Sequence, residues 1–323
     1  MQDVAIFIFA LATTAIMINF FLKISTKIHK NAQPIRKDGP QSHIHKKQGT
    51  VTMGGLFIMM PITLLYIVLQ YHKNTELCAV LFTIISFTAL GFCDDYLKVK
   101  TGKPDGVTFK YKMLLQLICA TTAIALLTHG KQLTTTMAIP FCSNITIDMG
   151  VLYIPFAILI IVGSSNAVNI TDGLDSLAAI LSIITFASLY AISSFHLYHD
   201  VASICIAFIG AILGFTWYNA HPAKIFMGDS GSLPIGAVLG LLAIITKTEL
   251  LLMFTGYIFM IEALSVIIQV GVFKITKKRI FKMAPLHHHF EKLSYNESTI
   301  SMRFWIIAGC ITFISTALYI HQY

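Results

Sequence analysis

Charge is what this chain of 323 residues has least of. Asp, Glu, Lys and Arg make up 12% of it, against 56% hydrophobic residues, where a soluble domain carries about 25% charged residues. Mean hydropathy is +0.75. A cytosolic globule of this composition is excluded, because it would expose apolar patches large enough to aggregate. Paired cysteines are missing too. Cys78, Cys93, Cys119, Cys142, Cys205 and Cys310 show no CxxC spacing, which excludes a disulfide framework and a thiolate metal site and leaves them as small hydrophobes. No internal repeat or low-complexity segment is present. The N-terminal MQDVAIFIFALATTAIMINFFLK lacks a basic start and a small-residue cleavage site, so it reads as a retained first span rather than a signal peptide.

What is present is a series of long apolar runs. A bilayer core takes about 20 apolar residues per helix, and shorter segments are tolerated. Ten runs qualify: 4–22, 53–70, 76–93, 113–128, 151–168, 177–197, 201–217, 233–246, 250–272 and 304–320. Pro61 and Pro155 fall inside spans, where neighbouring helices can satisfy the freed carbonyls. The expected fold is an all-α polytopic membrane protein of about ten transmembrane helices, with residues 1–323 forming one integral membrane catalytic domain.

Lys and Arg placement sets the orientation. All but Lys73, Lys131 and Lys247 of the 23 basic residues fall in the segments after spans one, three, seven and nine. That side is expected to be cytoplasmic, with both termini extracytoplasmic. The net charge of +8 is thereby a topology signal and a contact for anionic lipid, and no nucleic acid partner is expected.

Four polar clusters interrupt the apolar chain, all on the expected cytoplasmic face. They are Asp94-Asp95 in GFCDDYLK, Asn166 to Asp175 in NAVNITDGLD, Asn219 to Gly231 in NAHPAKIFMGDSG, and His287-His288-His289 in PLHHHFE. Each alone reads equally well as a cap, a turn or a solvated loop. Together they set five aspartates (Asp94, Asp95, Asp172, Asp175 and Asp229) at one interface, where carboxylates need compensation by a cation, a donor or water. Oxygen ligands without thiolate suit Mg²⁺ or Mn²⁺ rather than zinc. Asp94 and Asp95 project about 100° apart on a helix and are expected to do different jobs. Asp175 could cap span six, and Gly173 permits close approach. Glu262, inside span nine, either serves function or lines a wet cleft. Aspartates around a divalent ion beside Lys47, Lys98 and Lys112 describe a phosphate-holding site, where transfer needs charge neutralisation and alignment.

The motifs SHIHKKQGTVTMGG, LGFCDDYLK, TFKYKMLLQ, NAVNITDGLDSLA, YNAHPAKIFMGDSGSL and MAPLHHHFE stand in this order. Together they resemble the phospho-N-acetylmuramoyl-pentapeptide-transferase family, within the wider polyprenyl-phosphate N-acetylhexosamine-1-phosphate transferases. The resemblance covers nearly the whole chain. It implies transfer of phospho-N-acetylmuramoyl-pentapeptide from its UDP-linked donor to undecaprenyl phosphate, giving lipid I and UMP in a bacterial plasma membrane, with Mg²⁺ as cofactor. It implies Asp229 as the metal ligand, and Asp94, with Asp95 beside it, as catalytic carboxylate near the lipid phosphate. Asn166, Asn169, Asp172 and Asp175 would build the nucleotide and diphosphate side, with Asn219 and Phe226 near the nucleoside. His287, His288 and His289 would recognise the sugar nucleotide. Lys47 (or its neighbour Lys46) and Thr52 match the family's residues before MGG, and Lys98 and Lys112 its phosphate-facing lysines. Val51 departs from the family's usual proline.

Two other readings are open at this stage. A sister enzyme would use UDP-N-acetylglucosamine. An ion-coupled transporter would set its polar groups near the bilayer midplane, often in two related halves. A homodimer is allowed for.

Overall fold

The computed structural model describes residues 1–28, 49–69, 74–130, 133–142 and 145–322. Twelve α-helices follow one another among these: α1 (Gln2–Ile28), α2 (Gly54–Val68), α3 (Thr75–Thr101), α4 (Phe109–His129), α5 (Tyr153–Thr171), α6 (Leu177–Phe195), α7 (His199–Asn219), α8 (Asp229–Ile245), α9 (Leu252–Thr255), α10 (Tyr257–Thr276), α11 (Leu286–Glu291) and α12 (Glu297–His321). Eight of them are long and apolar enough to cross a membrane; α2 and α8 are shorter apolar helices. Every expected run thus has its helix, although the ninth is broken at Gly256 into α9 and α10. Among the described residues the regular structure is helical but for one small element. Between α4 and α5, β1 (Thr136–Ala138) and β2 (Thr146–Asp148) pair antiparallel, with Met137 opposite Ile147. Thr135, Thr136, Ile145 and Ile147 supply the β-branched residues that favour a strand.

Local chemistry explains several boundaries. The Asn74 side chain accepts the N–H of Glu76 at 3.0 Å and so caps α3, satisfying a donor left open at the helix start. Gly102, at φ 65°, ends that helix in the left-handed conformation. Leu197 and Lys247 also take positive φ, closing the turns after α6 and α8.

α8 is the axis of the bundle. Residues 229–244 are all buried, as expected of a helix that is apolar on every side. α3 and α5 pack along it. Gly236 and Gly240, one turn apart, face α5 so closely that a Cβ at 236 would stand 2.3 Å from the Ser164 carbonyl oxygen. Where lipid is as apolar as the side chains, such backbone proximity is a main source of helix association. The outer helices expose large apolar residues such as Ile16, Phe20, Leu159, Ile267 and Phe313, which suits a lipid surround.

Candidate active site at one end of the helix bundle

The C-terminal ends of α3 and α5 meet the N-terminal ends of α4 and α8 at one end of the bundle. Asp94, Asp95 and Lys98 come from the last turns of α3, Lys112 from the first turn of α4, Asn169 from the end of α5, and Asp229 is the first residue of α8. Asp229 is the hub. Lys112 Nζ bonds its Oδ2, Lys98 Nζ lies 3.3 Å from the same oxygen, and Asn169 donates to its Oδ1 at 2.9 Å. Asn169 also reaches the Ser232 hydroxyl at 2.8 Å.

The adjacent aspartates face different partners, as their angular separation on a helix requires. Asp94 meets Lys98 at 2.5 Å and accepts the Val107 N–H at 2.9 Å. Asp95 turns to the start of α8, where its two oxygens accept the N–H groups of Asp229 (3.1 Å) and Ser230 (3.0 Å). Helix N-termini favour such an anion. Gly228 makes this possible: its φ is 73°, and a Cβ there would stand 2.4 Å from Asp95 Oδ2.

One oxygen from each of Asp94, Asp95 and Asp229 falls within 4.8 Å of the others. Three carboxylates against two lysines leave one negative charge over, and the donors are hard oxygens. The set fits a divalent cation. Asp95, with both oxygens on backbone donors, is the least available of the three. The Thr52 hydroxyl, buried and without a hydrogen-bond partner among the described residues, lies beside Gly228.

The TVTMGG segment and the KIFMGD segment brace each other. Phe226 N–H donates to the Val51 carbonyl, and Gly54 and Gly55 donate to Phe226 and Met227. Asn219 is a buried clamp: its Oδ1 accepts from Ser176 N–H and its Nδ2 donates to the Ile225 carbonyl. Asn166 donates to Gln116 at 2.6 Å and to the Val162 carbonyl.

Asp172 ends α5, and α6 begins after Ser176. Asp175 does not cap α6. Its Oδ2 meets His221 Nδ1 at 2.8 Å and the Ala223 N–H at 3.1 Å, while its own N–H donates to Glu297 at 2.6 Å. His287 is fully buried, His288 meets Glu291 at 2.6 Å, and His289 accepts the Lys282 N–H. Lys47 lies outside the described residues. Sequence reasoning gave no role to Glu297 or Gln116. Gln116 is a single polar residue inside an apolar run and Glu297 one in a polar stretch, signals too common to single out.

A cavity of about 220 Å³ runs along α5 and α10, lined among others by Leu159, Gly163, Ala167, Val168, Phe259 and Leu264. Its lining runs from Ala167 and Val168, which precede Asn169 in α5, to Glu249 and Met253 at the other end.

A bundle of lipid-facing helices with carboxylates, lysines and amides gathered at one end defines a membrane-embedded transferase of phosphate-bearing substrates. The model of the family described as glycosyl transferase family 4 matches residues 77–247. The chain is 47% identical to the phospho-N-acetylmuramoyl-pentapeptide-transferase of Wolbachia pipientis wMel, over 94% of this chain and 95% of the relative. It is 46% identical to that of Pelagibacter ubique (strain HTCC1062), over 89% and 84%, and 44% identical to that of Rickettsia akari (strain Hartford), over 93% and 88%. The chain therefore belongs to glycosyl transferase family 4 and, within it, to the phospho-N-acetylmuramoyl-pentapeptide-transferases. Neither alternative reading is favoured: these relatives fall in the muramoyl branch, and the polar groups sit at one end of the bundle rather than midway.

Proposed function

We propose that this chain, as a multi-pass protein of the bacterial plasma membrane, transfers phospho-N-acetylmuramoyl-pentapeptide from its UDP-linked donor to undecaprenyl phosphate, giving lipid I and UMP. The observation that carries the reading is the convergence of Lys98, Lys112 and Asn169 on Asp229 where the helices end. The reading takes that end to be cytoplasmic, with ten spans and both termini on the far side.

An oxygen of the lipid phosphate attacks the β-phosphorus of the donor, and the bond from that phosphorus to the bridging oxygen breaks, releasing UMP. A phosphate monoester has its second pKa at about 6, so the attacking group is already largely ionised at neutral pH and needs no strong base. Asp94 then serves to hold Lys98, and the two lysines draw phosphate oxygens to Asp229 as point charges. Asp229, with Asp94, would hold Mg²⁺, whose charge would neutralise the donor's diphosphate. Asp95 sets the position of Asp229 through the start of α8. The cavity beside α5 and α10 takes the first part of the polyprenyl chain, leaving its phosphate at Asn169 and Asp229. Asn166, Asp172, Asp175 and Phe226 border the nucleotide side, with Asn219 holding that wall in place.

Purified protein with undecaprenyl phosphate and Mg²⁺ tests the reading. UMP release from UDP-N-acetylmuramoyl-pentapeptide, and none from UDP-N-acetylglucosamine, is expected; the reverse preference overturns it.

A further inference from the structure

A buried carboxylate beside the histidine loop has no part in the transfer. Glu262, in the second turn of α10, is fully buried, where an acid is costly unless donors meet it. Both of its oxygens face a single residue of the histidine loop. Oε1 accepts the backbone N–H of His287 at 3.1 Å, and Oε2 lies 3.3 Å from His287 Nδ1. The imidazole, itself fully buried, presses from its other side on the turn that carries Asp172 and Asp175. A Cβ on Gly173 would stand 2.4 Å from His287 Nε2, so only glycine leaves room for the ring. The His288 ring packs against His287 with centroids 4.2 Å apart. A relay of contacts therefore runs from α10 through His287 to Gly173, four residues beyond Asn169, which binds Asp229.

The His287 side chain is thus enclosed between Glu262 and the Gly173 turn. What it can do is fix α11 against the turn at Gly173, and the group that fixes His287 is Glu262. We propose that Glu262 is a positioning residue for the sugar-nucleotide side of the reaction: through His287 it locks helix α11 and His288 onto the Asp172 turn, and it touches no substrate. The inference rests on the functional reading above for which substrate is affected, though not for the relay itself.

The test compares Glu262→Ala, Glu262→Gln and Gly173→Ala with the unaltered protein. KM is measured separately for the UDP-linked donor and the lipid phosphate, beside amide hydrogen exchange across 284–292 and thermal stability. Loss of one buried acceptor is worth roughly tenfold in an equilibrium. Glu262→Ala should therefore raise the donor KM about tenfold, leave the lipid KM within about twofold, and speed exchange at His287 and His288. Glu262→Gln keeps an oxygen for the His287 N–H and should restore most of both effects. Gly173→Ala, which puts a methyl group where the ring lies, should repeat the donor-specific defect. Equal changes in both KM values, a fall in kcat alone, failure of Gln to rescue, or unaltered exchange in 284–292 would overturn the proposal. Exchange needs no turnover, so a protein that releases no UMP would count against the functional reading while exchange still decides the role of Glu262.

Discussion

Asp95 and Asp229 stand 134 residues apart in sequence, yet the carboxylate of the first accepts the backbone N–H of the second at 3.1 Å and that of Ser230 at 3.0 Å. The contact makes one aspartate of the pair the anchor for the helix that presents the hub of the site. Its neighbour Asp94 lies nearer Lys98, at 2.5 Å against 3.8 Å for Asp95, and 3.9 Å from Lys112. Asp95 thus ties the end of α3 to the start of α8.

Removing that anchor should cost stability before chemistry. Asp95→Asn keeps one acceptor but loses the charge facing the helix N-terminus, a loss of about 1 kcal/mol. Asp95→Ala leaves both N–H groups open and should cost about 1–3 kcal/mol or more. Thermal unfolding in detergent, read beside turnover, should rank the two variants in that order. Equal stability of Asp95→Ala and the unaltered protein would remove the anchoring role.

Lys112 touches the reacting phosphates in this account. Lys112→Gln should lower kcat/KM by about a hundredfold, since truncating one partner of a buried charge pair costs about 2–5 kcal/mol. The folded fraction should change little, because Lys98 still faces Asp229. Steady-state kinetics with both substrates checks this. A drop below tenfold, taking tenfold as about 1.4 kcal/mol, would place the lysine outside the phosphate path.

Gly163 lines the cavity beside α5, and a Cβ there meets nothing within 4 Å. Gly163→Leu should therefore fold normally and fill the space. The KM for undecaprenyl phosphate should rise severalfold, with the donor KM unchanged. The opposite pattern would take the lipid chain elsewhere.

At the far end of the bundle, between α8 and α9, burial pushes the Glu249 carboxyl above its ordinary value, offset in part by the Tyr153 hydroxyl and by Lys247. The fold therefore prefers Glu249 protonated. Its contribution is complete below the ordinary carboxylate range and is lost as pH rises through the raised value. Glu249→Gln, neutral throughout and still able to accept from Tyr153, should raise the melting temperature at about pH 8. The gain should vanish toward about pH 4, near the unfolded value. A gain independent of pH would contradict this.

Much of the helical architecture was legible because apolar run length acts locally. Each of the ten runs has its helix, and the four polar clusters do meet at one end through Asp95–Asp229, Asn169–Asp229, Asp175–His221 and the approach of His287 to Gly173. What stayed hidden depends on distant partners. Asp175 could be read as a cap of α6 because His221 and Ala223 lie more than 40 positions on. The three adjacent histidines looked equivalent, and only packing against Glu262 and Gly173 separates the buried His287 from His288 and His289. The paired strands 136–138 and 146–148 were lost between two helices because three-residue strands carry almost no periodic signal.

The central claim is that Asp229 organises the transfer rather than the fold. The most direct measurement is lipid product formed by purified Asp229→Asn, given undecaprenyl phosphate, UDP-N-acetylmuramoyl-pentapeptide and Mg²⁺, beside its thermal unfolding. The account predicts a folded protein with turnover lower by about a thousandfold or more. A folded variant that makes product at the unaltered rate would contradict it.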